Sequence, residues 1–496
     1  MQRFLLFGVL LLGIVFVGCV KEKSDEKELL SFDIPNQTCY VFIEGQSIMV
    51  YVYRQVDVSR LVPMVTVSKG ARVYPHSGAT VDFTHLVTYS VIAPNGSVAT
   101  YNVTVSNTLS RTSDIQVFRL ENTQQIFERA GDSLFIYVPY ETDITNIKTD
   151  IIVLDSVSIS PASGTAMNFT NPQIYTTTSS DGTSRNYVVA VRKSPWRKVG
   201  NGPFASRDEH TVLVYDGKIW LLGGWVGGDD HVPEVWNSYD GTNWNLVTND
   251  APWKNKKSTN FIVFKEKIYA LGGVGDDLGV WTSVDGLTWN KILNEVPWGK
   301  RYHPYVAVFR DKIWIIGGLE VGFDQPRDYG AKVYSDVWSS EDGVLWKMEK
   351  PYLQFPARAL VHGYAVLGNE LYIYSGGSKG TVNLSGGLET LSEYNDVWKT
   401  SDGLNWIRLT NTPAWTPRTH SNVSVYQNQL WLFAGSIGKQ ANLSNEVWKS
   451  TDGRDWEQIK YSFWSPRHAA SAVEFNGKLF LVAGYLVNDI WVLEND

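Results

Sequence analysis

Cysteine is nearly absent: the 496 residues include two, Cys19 and Cys39. No disulfide framework can therefore brace the body, which must rest on apolar burial and hydrogen bonding. Cys39 lies in the strand-like run Thr38-Cys39-Tyr40-Val41-Phe42-Ile43, where an inert buried thiol is expected rather than a nucleophile. Cationic excess is also missing. A net charge of −7 leaves no basic footprint, which excludes nucleic acid as a partner class. The longest apolar run, Phe4 to Val17, falls short of the roughly 20 residues that a bilayer-spanning helix needs. There is no nucleophile elbow, no His-Glu-x-x-His and no phosphate-cradling glycine loop, so no catalytic residue is assigned and no cofactor expected. Gly227-Gly228-Asp229-Asp230-His231 is a lone acidic loop, and no metal is expected there.

What the chain has in quantity is tryptophan, 20 residues concentrated beyond residue 194. Trp236, Trp281, Trp338, Trp398, Trp448 and Trp491 recur, and all but the last precede an Asp-Gly pair and a second tryptophan. A unit of this size cannot bury its own apolar face, so the copies must stack around a common axis. Each unit divides into strands: His210 to Asp216, Lys218 to Gly224, Glu234 to Tyr239 and Asn243 to Val247 in the first. The second strand ends on Gly223-Gly224, Gly272-Gly273, Gly317-Gly318 and Gly376-Gly377, then Ala434-Gly435 and Ala483-Gly484. The last unit stops at Trp491-Val492-Leu493 without a fourth strand, and Trp196-Arg197-Lys198-Val199 supplies an orphan one before the first. Pairing the two removes an exposed sheet edge.

Residues 31–106 and 117–192 are near duplicates. Asp57-Val58-Ser59-Arg60-Leu61 matches Asp143-Ile144-Thr145-Asn146-Ile147, and Pro75-His76-Ser77-Gly78 matches Pro161-Ala162-Ser163-Gly164. Tyr101-Asn102-Val103-Thr104-Val105 matches Tyr187-Val188-Val189-Ala190-Val191 at the same offset. Alternating residues around Asn95-Gly96 and Asp181-Gly182 predict antiparallel hairpins and a small β-sandwich in each copy.

Several resemblances follow from these residues. Gly18-Cys19 after the apolar run resembles a bacterial lipobox, which implies a signal peptide over 1–18, a lipid on Cys19 as the membrane partner, and a flexible tether over 19–30. Ser24-Asp25-Glu26 reads either as solvated linker or as an export signal to the outer face of the outer membrane. The duplicated modules, 31–108 and 109–193, resemble the Ig-like domains at the front of lipoproteins in polysaccharide-using Gram-negative bacteria. Residues 194–496, with their glycine pairs and third-strand aromatics, resemble the kelch repeat. The implied fold class is all-β: two tandem Ig-like β-sandwiches followed by a six-bladed kelch-type β-propeller closed by strands from both ends. The Ser-x-Asp-Gly-x-x-Trp runs resemble the Asp-box hairpin, a structural device.

Candidate ligand contacts cluster at the starts of the first strands: Arg207 and His210, Arg301 and His303, Arg358 and His362, Arg418 and His420, Arg467 and His468. Guanidinium and imidazole donors suit a carboxylate or an array of sugar hydroxyls, and they equally suit backbone carbonyls. The second unit offers Lys256 and Lys257 instead. Loops that depart from the repeat add Trp225, His231, Phe323, Arg327, Tyr329 and Tyr394, the mixture a carbohydrate- or peptide-binding mouth needs. The leading expectation is an envelope lipoprotein binding a glycan or an envelope protein. Two alternatives stay open: a sugar mutarotase or epimerase resembling the periplasmic kelch sialic acid mutarotase, and a non-catalytic scaffold. The kelch copper oxidases need a cysteine crosslinked to tyrosine, and residues 194–496 contain no cysteine.

Overall fold

Short alternating segments punctuated by two-residue turns give strands and almost nothing else. Among the described residues the one helical element is a 3-10 turn, Val58–Arg60. The computed structural model describes residues 25–494, apart from 36–38, 54–55, 110–113, 155–156, 228–230, 255, 321–331, 379–391 and 439–441. The expected signal peptide and Cys19 lie outside the described residues, as do Phe323, Arg327 and Tyr329.

The chain divides into two compact units. The first comprises residues up to Gln124 with Lys148–Ala166 and Tyr175–Asn186. It contains a five-stranded sheet ordered Cys39–Glu44, Ser47–Tyr53, Val98–Leu109, Val87–Ile92, Arg72–Tyr74, and a separate pair of Leu29–Asp33 with Met64–Val67. Phe32, Val50, Phe83, Tyr89 and Val103 form the core, with Phe32 edge-on to Tyr89 at 5.5 Å between ring centroids. The expected antiparallel hairpin is present between Val87–Ile92 and Val98–Leu109. Ser47–Tyr53 and Val98–Leu109, however, pair in parallel, because no turn joins them and three strands intervene. The serine of the Pro-x-Ser-Gly run has one role in both copies: Ser77 Oγ accepts from Val65 N at 2.8 Å, and Ser163 Oγ accepts from Ile151 N at 2.9 Å.

The second unit comprises Gln125–Ile147, Met167–Ile174 and Tyr187–Asp496. Its part of the second module repeats the parallel ladder, with Ser133 opposite Val188 as Ser47 is opposite Asn102. The boundary passes through that module because Tyr137, with Ile126 and Phe135 against it, packs into a core shared with Trp196, Trp431, Phe433 and Trp464.

From Trp196 onward there are five four-stranded sheets and one of five strands, beside two short two-stranded pairs. The first sheet is Thr211–Tyr215, Lys218–Leu222, Val235–Ser238, Trp244–Thr248, antiparallel throughout. The sixth draws on both ends: Trp196–Asn201 pairs antiparallel with Val487–Leu493, which continues through Lys478–Gly484 to Ser471–Phe475. First strands are neighbours from sheet to sheet, and Thr211–Tyr215 contacts both Asn260–Phe264 and Ser471–Phe475. The fourth sheet breaks the pattern. Its opening segment, Val361–Gly363, leaves its own sheet and pairs in parallel with Ser421–Tyr426 of the fifth, while Ala365–Leu367 resumes the ladder with Glu370–Tyr374.

The Asp-Gly hairpins explain how neighbouring sheets are spaced. In the first, Asp240 Oδ1 accepts from Thr242 N at 2.8 Å and Asn243 N at 2.7 Å, and Ser238 Oγ accepts from Gly241 N at 2.8 Å. The carboxylate thereby satisfies turn amides that no strand partner reaches. The glycine has a second duty. A Cβ on Gly286 would run into the Trp220 ring of the preceding sheet, one on Gly403 into Trp314, and one on Gly241 into Phe480 of the sixth sheet. Gly403→Ala, at φ +81°, is therefore expected to cost about 2–5 kcal/mol in urea denaturation, overpacking of about 1–3 kcal/mol adding to a left-handed backbone term of about 1–2 kcal/mol. Gly368→Ala, at φ +61° with nothing within 4 Å, should lose only the left-handed backbone term of about 1–2 kcal/mol. Equal losses would show that the ring contact is not what spaces the sheets.

Candidate functional site

The recurring arginines stand where the sequence places them, but they are turned away from solvent: none is more than 2 % exposed. Arg207 donates Nη1 to Gly223 O at 2.9 Å, Nε to Ala205 O at 3.0 Å and Nη2 to Glu234 Oε2 at 2.5 Å. Glu234 Oε2 also accepts from the indole of Trp236 at 2.8 Å. The pattern recurs with Arg301 on Asp336, Arg358 on Asp396, Arg418 on Glu446 and Arg467 on Asp489, the acid two residues before the third-strand tryptophan each time. Each guanidinium thus ties the approach to the first strand, the end of the second and the start of the third.

The second sheet departs as a set. Lys256 replaces the arginine and Gly279 stands where the acid would be, while Asp277 accepts from Trp281 Nε1 at 3.0 Å and pairs with Lys291 at 3.2 Å. Lys256 Nζ is buried without a hydrogen bond, and burial brings its pKa down to about 8.

Two residues beyond each basic anchor the backbone turns left-handed: Glu209 (φ +55°), Ser258 (+52°), His303 (+42°), Leu360 (+67°), His420 (+53°) and Ala469 (+50°). From His303 to Ala469 consecutive members are linked through their backbones. Leu360 N donates to His303 O at 3.2 Å, His420 N to Leu360 O at 2.6 Å, and Ala469 N to His420 O at 2.8 Å. The histidines are therefore not equivalent copies: His303 and His420 occupy the left-handed position, His468 precedes it, and His210 and His362 follow it. Their rings still converge. His303 lies 4.8 Å from His362 and 5.9 Å from His420, and His420 lies 5.3 Å from His468, between ring centroids.

Glu209 was missed by pattern reading, because it is the one acid at a position where the repeat supplies no acid elsewhere. Its Oε1 lies 3.3 Å from His303 Nε2 and its Oε2 3.4 Å from His231 Nε2, and Tyr302 donates to it at 3.1 Å. Burial raises its pKa, but His303 and His231 outweigh that and hold the carboxyl well below its usual range. His468 Nε2 lies 3.0 Å from Asp208 Oδ2. His210 contacts Val482 O at 3.1 Å, and burial, then Arg207, lowers its pKa to about 3. His362 is likewise pushed well below the usual imidazole value, by burial and then by His303.

Of these groups, Glu209, His210, His303 and His362 border a channel of about 510 Å³ between the first strands, lined also by valines such as Val214, Val308, Val425 and Val473. His210, Thr259, His362, Asn422 and Ser424 line it, and each has a buried side-chain polar atom without a hydrogen-bond partner among the described residues. His362 arrives there through the strand that crosses to the fifth sheet, an irregularity with no sequence signal except Gly363, where a Cβ would meet Val423 O. Trp225 exchanges backbone hydrogen bonds with Asp208 and bridges to His231, so it supports the loop carrying that histidine. The Arg358 guanidinium lies over the Tyr394 ring at 4.8 Å from its centroid, and Tyr394 is not among the residues lining the channel. Phe204, Trp253, Trp298, Trp415 and Trp464 are all buried, as in the edge-on pair of Trp298 with Trp346 at 4.4 Å. Among the described residues no group of three or more His, Cys, Asp or Glu has a metal-holding arrangement.

The described residues thus form an all-β protein of many sheets in which polar groups converge on a channel between first strands. The family described as "SGBP, N-terminal" matches residues 29–105 and 115–191. SGBP-type domains, from glycan-binding proteins of polysaccharide-using bacteria, therefore stand twice at the front of the chain. No curated protein matches the chain.

Two outcomes follow. Arg301→Ala leaves Asp336 buried without its cation, and a loss of about 3–5 kcal/mol is expected in chemical denaturation; a loss below 1 kcal/mol would remove the clamp from any structural role. Acidification should also destabilise the fold. Below pH 6.5 the unfolded state protonates His210 while the folded state, with a pKa of about 3, does not. Going from pH about 7.5 to about 5.5 should cost about 1.4 kcal/mol through this residue alone. Below pH 4.5 Glu209, with its depressed pKa, adds a loss of the same sign. His210→Gln should flatten the upper part of that profile.

Proposed function

We propose that this is a cell-envelope lipoprotein, lipidated on Cys19 at the outer membrane, whose two Ig-like modules carry a six-bladed kelch-type propeller that binds a glycan at the mouth of its axial channel. The propeller reading is supported by neighbouring first strands and by the sheet built from both ends. The glycan reading is supported by the tandem SGBP-type domains. In this reading the five arginines shape the mouth as clamps, and His210, His231, His303, His362, His420 and His468 with Glu209 face the ligand.

The observation that carries the proposal is the set of unpartnered buried polar atoms lining one channel. Such atoms are costly unless something hydrogen-bonds to them. Sugar hydroxyls donate and accept at once, as do neutral imidazoles and serine or threonine hydroxyls. A glycan array probed with the full chain tests this. Specific binding is expected, and His362→Ala and Asn422→Ala should each weaken it by about tenfold or more while leaving thermal unfolding cooperative. Binding unchanged in both variants would move the site off the channel, and capture of an envelope protein without any glycan would favour the scaffold alternative.

A further inference from the structure

We infer that the channel mouth takes an uncharged sugar residue and discriminates against uronates and sialates, an inference that rests on the glycan reading above. Proteins hold a sugar carboxylate chiefly with arginine forks. Here every recurring arginine near the channel is buried, and its fork is occupied by a carboxylate and by backbone carbonyls.

Among the described residues that line the channel, the charged side chains are the carboxylates Glu209 and Glu474. Glu209 and Asp208 are adjacent in the chain, and Glu209 is held in its ionised form. His303 and His231 face Glu209, and His468 faces Asp208, so a proton on any of them is offset by the carboxylate it touches. His210 and His362 are kept neutral by burial. In a poorly solvated channel, a ligand carboxylate near Glu209 meets like-charge repulsion with little screening.

Hydrogen-bonding capacity leads the same way. Asn422 Oδ1 can only accept, Thr259 Oγ1 and Ser424 Oγ can do either, and His362 Nε2 takes the role its tautomer allows. A hydroxyl satisfies all of these, whereas a carboxylate leaves Asn422 Oδ1 unpaired.

The test titrates the full chain with neutral and acidic oligosaccharides: galacto-oligosaccharides and oligogalacturonates, manno-oligosaccharides and oligomannuronates, lactose and sialyllactose, each acidic member being paired also with its own methyl ester, which removes the charge and keeps the sugar and linkage. Within any pair that binds, the neutral member is expected to bind at least about tenfold more tightly. Glu209→Gln should reduce that preference by about tenfold, by weakening the neutral ligand, relieving the acidic one, or both. Equal or tighter binding of an acidic member overturns this inference while leaving glycan binding in place. Absence of binding to every member in both charge states defeats the underlying reading instead. Should Glu209→Gln not fold, the unmodified chain still decides through its neutral-to-acidic ratio.

Discussion

Five buried arginines organise everything downstream of Trp196. Each guanidinium joins a carbonyl at the end of the second strand to a carboxylate that already holds the third-strand indole, as Arg207, Gly223 and Glu234 do with Trp236. A buried cation of this kind is tolerable only when its donors are all engaged, so the clamp imposes a geometry as much as it adds stability. It fixes the path of three strands at one end of each of the five sheets that have it. The close approach also explains the second glycine of the pair: a Cβ on Gly224, Gly318 or Gly435 would crowd the arginine's Cδ. The second sheet lacks both arginine and acid, losing the two halves of the ion pair together.

The clamp has a consequence for the channel. The clamp anchors the approach to each first strand, and two residues beyond the anchor the backbone turns left-handed. The repeat controls backbone there and leaves side chains free to differ. Glu209, Ser258, His303, Leu360, His420 and Ala469 are structurally equivalent yet, apart from the two histidines, chemically unlike, which is what a site grafted onto a regular frame requires. The fourth sheet goes further by sending Val361–Gly363 across to its neighbour, which brings His362 within 4.8 Å of His303. Regularity carries the fold, and its local failures bring unlike polar groups together.

The two N-terminal modules follow the same division. Their cores and their Pro-x-Ser-Gly turns are copied, down to the amide that Ser77 and Ser163 each accept from. The second copy differs where Ile126, Phe135 and Tyr137 turn toward Trp196 and Trp431. That packing makes part of a duplicated domain one compact unit with the sheets that follow.

Much of the architecture was legible in the chain because repetition displays it directly. Tryptophan spacing, glycine pairs and Asp-Gly turns located the strands to within a residue or two, and the orphan strand at Trp196 announced its pairing with Val487–Leu493. The parallel ladders of the modules were not legible, since strand direction across a long crossover has no local signature. The site was half legible. The sequence grouped arginine with histidine because both recur at strand starts, and only the packed structure separates them: the arginines find carboxylates from the third strand and withdraw, while histidines at differing offsets converge. Glu209 and the crossing segment at His362 were invisible for a related reason. A pattern search weights what repeats, whereas proximity in space is set by how unlike copies meet across the channel. The sequence by itself determined the strands, the turns and the repeat, because these depend on local periodicity. Which polar groups are left facing the channel was decided only by tertiary structure, because it depends on which partners long-range packing provides.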